Sequence, residues 1–474
     1  MMLSFVLGSL LSQFSYTKFI PETLCTVAVA MLLGAAIRNM IHWGWLSLGE
    51  FTVVDATLLN LILLPIIIFE GGWSVNLPHF MSQFPYILIF AILGTIISIA
   101  LIGSFSWLTA ALGAHPMTSV RANFAFASLI SATDPVATLT TFTQLHIAER
   151  QPLLNTLVFG ESFINDAVAI VFFNAFNHNQ EPWDELMLRV VTLLFGSMLL
   201  GFFTTAALVL VMRWARLPGH TSPEVLYVFL TPYLVYSLAE ALDFSGIIAT
   251  LFGGIIMRVY GARHLSATGE KRADHLLEIM ARLADSGVFI ICGTSTALMT
   301  SLEGFQYGVL ALGLCLAARA AAVLVCTALS NRLKRFNDQS TDDMITWRHE
   351  FMIWLSGLRG GLGLVLALEI DETWCGADNK SMILNTTFFL VCSLLLLNGA
   401  TTEPCLRLLN LVASAEEADH AAAAGQPEGA SACDPSDAQR ARSVSASKIL
   451  EQQPTAGPLH VFLTWLLVGR HSKQ

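Results

Sequence analysis

Three polar side chains crowd one apolar stretch. In GESFINDAVAIVFF, from Gly160 to Phe173, Glu161 and Asn165 stand four residues apart and share a helix face. Asp166 lies one residue on, about 100° further round. If the stretch lies in a membrane, each ionised group costs about 2.5–3.5 kcal/mol at mid-depth on insertion scales. Such groups in a membrane serve ion pathways and proton relays. A buried polar cluster that only joins helices is the alternative, but a lone carboxylate such as Asp166 asks for more than packing.

Three further places carry polar groups in apolar surroundings. In LPIIIFEGGWSVNLP, Glu70 stands between Pro65 and the pair Gly71-Gly72. It is either functional or a helix-end carboxylate reaching for the interface. In SLISATDPVATLTTF, Pro135 pushes Asp134 out of helical geometry and removes a backbone donor. A helix broken at mid-depth frees carbonyls and amides, which is tolerated only where protein or a water cavity satisfies them. Thr133 and Asp134 then stand at a discontinuity that suits a cation, and a plain kink is the alternative. In WLSGLRGGLGLVLAL, Arg359 lies in a glycine-rich run that approaches another backbone closely or breaks its helix. Arginine keeps its charge, so it needs an anionic partner, and Glu161 is the expected one. Arg319, in LAARAAAV, reads as a structural cation that snorkels or pairs with Glu240 or Glu70. Two broken segments, one in each half of the chain, point to a transporter built from inverted repeats, with its site where they cross.

The elements that must hold these residues are membrane spans. The chain has 474 residues, 54% of them hydrophobic and 13% charged, with mean hydropathy +0.63. Soluble domains carry about 25% charged residues. The spacing of apolar runs predicts about 13 spans, each near the length that crosses a bilayer core. They lie over 2–17, 22–40, 53–75, 84–112, 120–143, 152–177, 186–212, 222–242, 244–262, 283–302, 305–330, 347–370 and 382–409. An all-α polytopic membrane domain is therefore expected over 1–411. The segment 412–474, rich in Ala, Glu, Ser, Gln and Pro, reads as a short and largely disordered tail.

Lys18, Arg150, Arg213, Arg216, Arg258, Arg263, Lys271, Arg272, Arg332, Lys334, Arg335 and Arg348 fall in one set of alternate loops. Arg38, Arg121 and Lys380 are nearly all that the other set holds. The positive-inside rule puts the first set, and with it the C-terminus, in the cytosol. The sequons at Asn379 and Asn385 then fall at or beside an outer or luminal loop.

Several function classes drop out. The net charge of −10 says little about nucleic acid, but no basic patch is evident, so no nucleic-acid partner is expected. The eight cysteines form no CxxC pair, which leaves metal and disulfide frameworks unsupported. No HExxH, GxSxG or P-loop is present, so an enzyme is not expected. No cofactor is expected.

LPIIIFEGGWS, ISATDPVATL, LVFGESFINDAVAIVFF, SGIIATLFGGIIM, the ARA of Ala318 to Ala320 and SGLRGGLGLVLAL occur in family order. Together they resemble the eukaryotic sodium/proton exchangers, a branch of the monovalent cation:proton antiporters, over about Ile20 to Pro404. LISATDPVATL and LVFGES are most similar to the Golgi and endosomal members. GGLGLVLAL departs from the family's common Ala-rich, Phe-containing run, and the tail is shorter than the regulatory tails of plasma-membrane members.

The resemblance implies the sodium/proton antiporter fold, with two broken, crossing helices, in a homodimer. It makes Asp166 the residue that holds either a proton or the transported Na⁺. Thr133, Asp134 and nearby carbonyls complete the cation's shell, and a Glu161–Arg359 pair ties the broken elements together. With Asn165 neutral, one proton leaves for each Na⁺ or K⁺ bound, so exchange for pH and ion homeostasis is expected to be electroneutral. The membrane implied is Golgi or endosomal, with the plasma membrane as alternative. A cation channel on the same scaffold is the rival reading, and no TVGYG-like filter supports it.

Overall fold

The computed structural model describes residues 22–43, 59–75, 77–133, 147–178, 183–215, 221–298, 304–336, 344–357 and 359–412, together with Phe142 and Leu145. The expected first span, Asp134 and the tail beyond Val412 lie outside the described residues. Among those residues every regular element is helical.

In chain order the described α-helices of eight residues or more are α1 (Glu22–His42), α2 (Leu64–Ser74), α3 (Leu77–Leu88), α4 (Thr95–Ala111), α5 (Val120–Ser131), α6 (Pro152–His178) and α7 (Trp183–Ala215). There follow α8 (Thr221–Ala241), α9 (Gly246–Ile256), α10 (Ala267–Leu298), α11 (Gly304–Phe336), α12 (Trp347–Leu355), α13 (Gly361–Leu368) and α14 (Ala377–Leu408). A π-helical segment, Ile89–Gly94, joins α3 to α4, so the two run as one long helix. Among the described residues six stretches are long and apolar enough to cross a bilayer: His79–Ala111, Pro152–Asn177, Val191–Ala215, Gly246–His264, Gln306–Phe336 and Ala377–Leu397. The helix expected over 283–302 begins sixteen residues earlier, at Ala267. Its first half carries Glu270, Lys271, Arg272, Asp274 and Glu278, a polar extension that a search for apolar runs passes over.

Local signals start the helices where the sequence supplies them. Pro65 stands in the first turn of α2 and Pro152 opens α6, positions where the missing N–H is no loss. Ser119 caps α5 by accepting from the Ala122 amide, and Ser245 caps α9 by accepting from Ile248. Thr346 and His349 form a reciprocal capping box at the start of α12.

The helices fall into two packed groups. One joins α1, α2 and α7 to α10; the other joins α3 to α6 and α11 to α14. In the first group α2 and α9 cross closely enough that only glycine fits. A Cβ on Gly72 would collide with the Leu251 carbonyl, and one on Gly254 would stand 2.5 Å from the Phe69 carbonyl. In the second group the expected span over 347–370 is two half-helices, α12 and α13, separated by Ser356–Gly360. α5 stops at Ser131, where Ala132 turns extended (φ −59°, ψ 133°). At about 1.5 Å per residue, the 12 residues of α5 and the 8 of α13 are each too short to cross about 30 Å of hydrocarbon. They pack against each other and against α6.

Candidate functional site

The two interrupted helices expose backbone groups that a continuous helix would satisfy, and two arginines take up the carbonyls. Arg359, in the gap between α12 and α13, donates Nη1 to Ser131 O at 2.9 Å and to Ala132 O at 3.0 Å, at the C-terminal end of α5. Its Nε and Nη2 both reach Cys315 Sγ at 3.4 Å. Arg319, on α11, donates Nη2 to Ile353 O at 2.9 Å, in the last turn of α12. The C-terminal ends of α5 and α12 thus each meet a guanidinium, which fills orphan acceptors and opposes the negative end of the helix dipole.

Arg319 also meets Glu161 fork to fork, through Nη1 to Oε1 and through Nη2 to Oε2 at 3.0 Å. Both side chains are buried. This corrects two expectations. Glu161 pairs with Arg319 and not with Arg359, and Arg319 pairs with neither Glu240 nor Glu70. The reason is where the donors find acceptors. Arg359 sits in the chain break beside free carbonyls, so no carboxylate is needed there. Arg319 sits on an unbroken helix, within reach of the Ile353 carbonyl, and takes the carboxylate. Glu240 instead accepts from the Gly246 amide at 2.8 Å and closes the turn between α8 and α9. Glu70 is half-buried on α2, where the Ser74 hydroxyl donates to its carbonyl at 2.9 Å.

The crossing also gathers neutral polar groups. Thr133, just past the end of α5, accepts from Asn165 Nδ2 at 3.0 Å and lies 3.3 Å from Ser162 Oγ. Asn165 Oδ1 lies 2.8 Å from the hydroxyl of Thr95, at the first residue after the π-segment. Thr95, Thr133, Ser162 and Asn165 are all buried. Asp166 is the next residue on α6. It is half-buried, with Oδ1 enclosed. Thr133 and Asn165 are therefore brought together. Thr95 and Ser162 are additions; Ser162 was visible three residues before Asn165, whereas Thr95 lies 70 positions from its partner.

The glycine run after Arg359 allows the close packing expected of it. A Cβ on Gly363 would stand 3.2 Å from Leu129 O, so α13 lies almost on the backbone of α5. A clamp fastens the far ends of the same elements. Arg121, in the first turn of α5, donates to Phe176 O and, at 2.7 Å, to Asn177 O near the end of α6, and lies 4.3 Å from the centroid of the Trp374 ring. Asn177 donates to Glu369 O at 3.1 Å and accepts from Asp371 N at 3.1 Å and Trp374 Nε1 at 3.2 Å.

Comparison with known proteins agrees with this geometry. The family described as sodium/hydrogen exchanger, transmembrane, matches residues 2–408. Sodium/hydrogen exchanger 8 of Homo sapiens is 32% identical over 403 residues, 83% of this chain and 67% of that protein. Sodium/hydrogen exchanger 5 of Arabidopsis thaliana is 30% identical over 413 residues, 85% of this chain and 77% of that protein. The fold is similar to that of the sodium proton antiporter MjNhaP1 from Methanocaldococcus jannaschii. The TM-score is 0.61 at 14% identity, covering 86% of this chain and 97% of that one. With broken helices crossing beside an Asn-Asp pair, and with this match over most of its length, the chain belongs to the sodium/hydrogen exchanger family, multi-pass membrane transporters that exchange a cation for a proton.

Proposed function

We propose that the protein is an electroneutral antiporter exchanging one Na⁺ or K⁺ for one H⁺, with Asp166 as the carboxylate that holds either. The observation that carries this reading is the Glu161–Arg319 pair. It cancels the charge of Glu161 and leaves that residue no role as a second proton carrier. Asn165, the other neighbour, does not titrate. With Asp166 alone exchanging, the cation-loaded and proton-loaded forms carry the same charge, and a full cycle moves none across the membrane. Thr133 and Asp134, with nearby backbone carbonyls that Arg359 does not occupy, supply oxygen ligands to the cation in this reading. Oxygen ligands suit a hard monovalent ion.

Residues 1–411 form the exchanger in this reading and 412–474 a cytosolic tail. The resemblance of LISATDPVATL and LVFGES supports a Golgi or endosomal membrane and a role in pH homeostasis there. The family resemblance supports a homodimer, and the exposed row Leu226, Leu230, Leu234 and Leu238 on α8 suits a lipid-facing wall.

The test is reconstitution of the full chain in vesicles carrying a pH dye, with Na⁺, K⁺ or Li⁺ added at clamped voltage. Proton efflux coupled to cation entry is expected, with no dependence on voltage and none in Asp166→Asn. Flux that persists in Asp166→Asn, or a current that tracks transport, would overturn the assignment.

A further inference from the structure

Thr95 has one proton to give and two acceptors in reach. Its hydroxyl contacts Ala91 O, one turn back in its own helix, and Asn165 Oδ1 at 2.8 Å. A hydroxyl donates once, so one of these contacts excludes the other as a full donation. The primary amide beyond it has a matching ambiguity. Its oxygen and nitrogen ends have nearly the same shape, and turning it over exchanges an acceptor for a donor.

Both arrangements satisfy the site. When Thr95 donates to Asn165 Oδ1, the amide nitrogen faces Thr133 and donates to its hydroxyl, as at the observed 3.0 Å. When Thr95 donates instead to Ala91 O, its lone pairs are free to accept from a turned amide. Asn165 then presents its oxygen to Thr133, next to Asp166. The position of Thr95 just after the π-segment Ile89–Gly94 puts its hydroxyl where it reaches both its own turn and α6.

We propose that Thr95 is a positioning residue that sets which end of the Asn165 amide faces the ion site. An N–H facing the site opposes a cation and suits the protonated carboxyl. An oxygen facing the site adds a cation ligand. The single proton of Thr95 thereby couples cation affinity to a side chain on α4, a helix that contributes no charge to the site. The inference rests on the reading of Asp166 as the exchanging carboxylate.

The test uses the full chain in the same vesicles, comparing wild type, Thr95→Val, Thr95→Ser and Asp166→Asn as a function of Na⁺ concentration. Thr95→Val keeps the shape and removes the hydroxyl. In the cation form it leaves the turned amide's N–H without an acceptor, which is less tolerated than the unpaired carbonyl it leaves in the proton form, so it is expected to raise the KM for Na⁺ by about three- to tenfold, the scale of one net hydrogen bond, while maximal rate changes by less than about twofold. Thr95→Ser restores the hydroxyl and is expected to return KM to wild type. Thr95→Ala replaces the valine variant if that one does not accumulate, with the same expectation. An unchanged KM in the variant lacking the hydroxyl, or a serine variant as impaired as the valine one, overturns the proposal. Flux in Asp166→Asn overturns the underlying reading instead, so the two failures are told apart.

Discussion

Arg319 and Glu161 lie 158 residues apart in sequence and form a two-point ion pair inside the membrane domain, with side-chain exposures of 6% and 2%. A pair this buried is costly to break from one side, by about 3–5 kcal/mol, because the survivor keeps an uncompensated charge. Glu161→Gln is expected to lower thermal stability in detergent by that order, read as loss of monodisperse protein on heating. The double variant Glu161→Gln with Arg319→Gln is expected to recover more than half of the loss. A double variant no more stable than the single one would show that the two side chains do not depend on each other.

Arg359 is expected to resist even a charge-conserving change. Lysine keeps the cation but has one ammonium where the guanidinium serves Ser131 O, Ala132 O and Cys315 Sγ together. Losing one such charged hydrogen bond costs about 1.5–3 kcal/mol. Arg359→Lys should therefore accumulate and reach the membrane, with its melting transition lowered and exchange slowed. Wild-type exchange in this variant would show that net charge alone matters at the break.

At the other end of the same helices, Asn177 satisfies Glu369 O, Asp371 N and Trp374 Nε1 with one amide. Asn177→Ala removes all three hydrogen bonds from part-buried groups, at about 0.5–1.5 kcal/mol net for each. The expected readout is faster backbone hydrogen exchange in the peptide covering 369–376, with little change in α10. Asn177→Asp retains the acceptor and should exchange at an intermediate rate.

His115 supplies a pH dependence that is independent of transport. It lies in the turn between α4 and α5 and is 6% exposed, with Nε2 donating to Ser106 O at 2.9 Å and its ring 4.2 Å from that of Tyr307. Its Nδ1 is buried and finds no hydrogen-bond partner among the described residues. Burial pushes this imidazole below its ordinary value of 6.5, partly opposed by the Ser106 carbonyl. The unfolded chain therefore takes up the proton first. The contribution of His115 to stability is expected to be level well above pH 6.5 and to fall as pH drops from there toward the lowered folded value. His115→Gln is expected to flatten that fall in melting curves taken between about pH 7 and 5. An unaltered slope would exclude His115 as its source.

Much of this architecture was legible in the chain. The apolar runs at 22–40 and 152–177 became α1, Glu22–His42, and α6, Pro152–His178, almost residue for residue. The glycines around Arg359 announced a break and a close approach, and both are present. What the sequence did not carry was the choice of partner. Counting side-chain anions for Arg359 overlooked the backbone, since a helix that stops inside the protein offers carbonyls as acceptors in its place. Thr95 was hidden for a related reason. A hydroxyl in an apolar helix ordinarily bonds back to its own turn, as Thr95 also does, and nothing local marks the second contact with Asn165.

The π-segment Ile89–Gly94 has a consequence for how this helix tolerates change. A π-bulge accommodates one residue more than a regular turn, so the stretch between α3 and α4 is a matter of counting as well as of composition. Deleting one apolar residue there would let the backbone relax to ordinary α geometry. Hydropathy and span length would hardly alter. The wide turn would close while Thr95 to Ala111 kept nearly their rotation against α3, whereas the same deletion in the regular helix beyond would turn everything after it by about 100°. Along most of this helix the number of residues is the constraint; in these six the backbone has room to give up one.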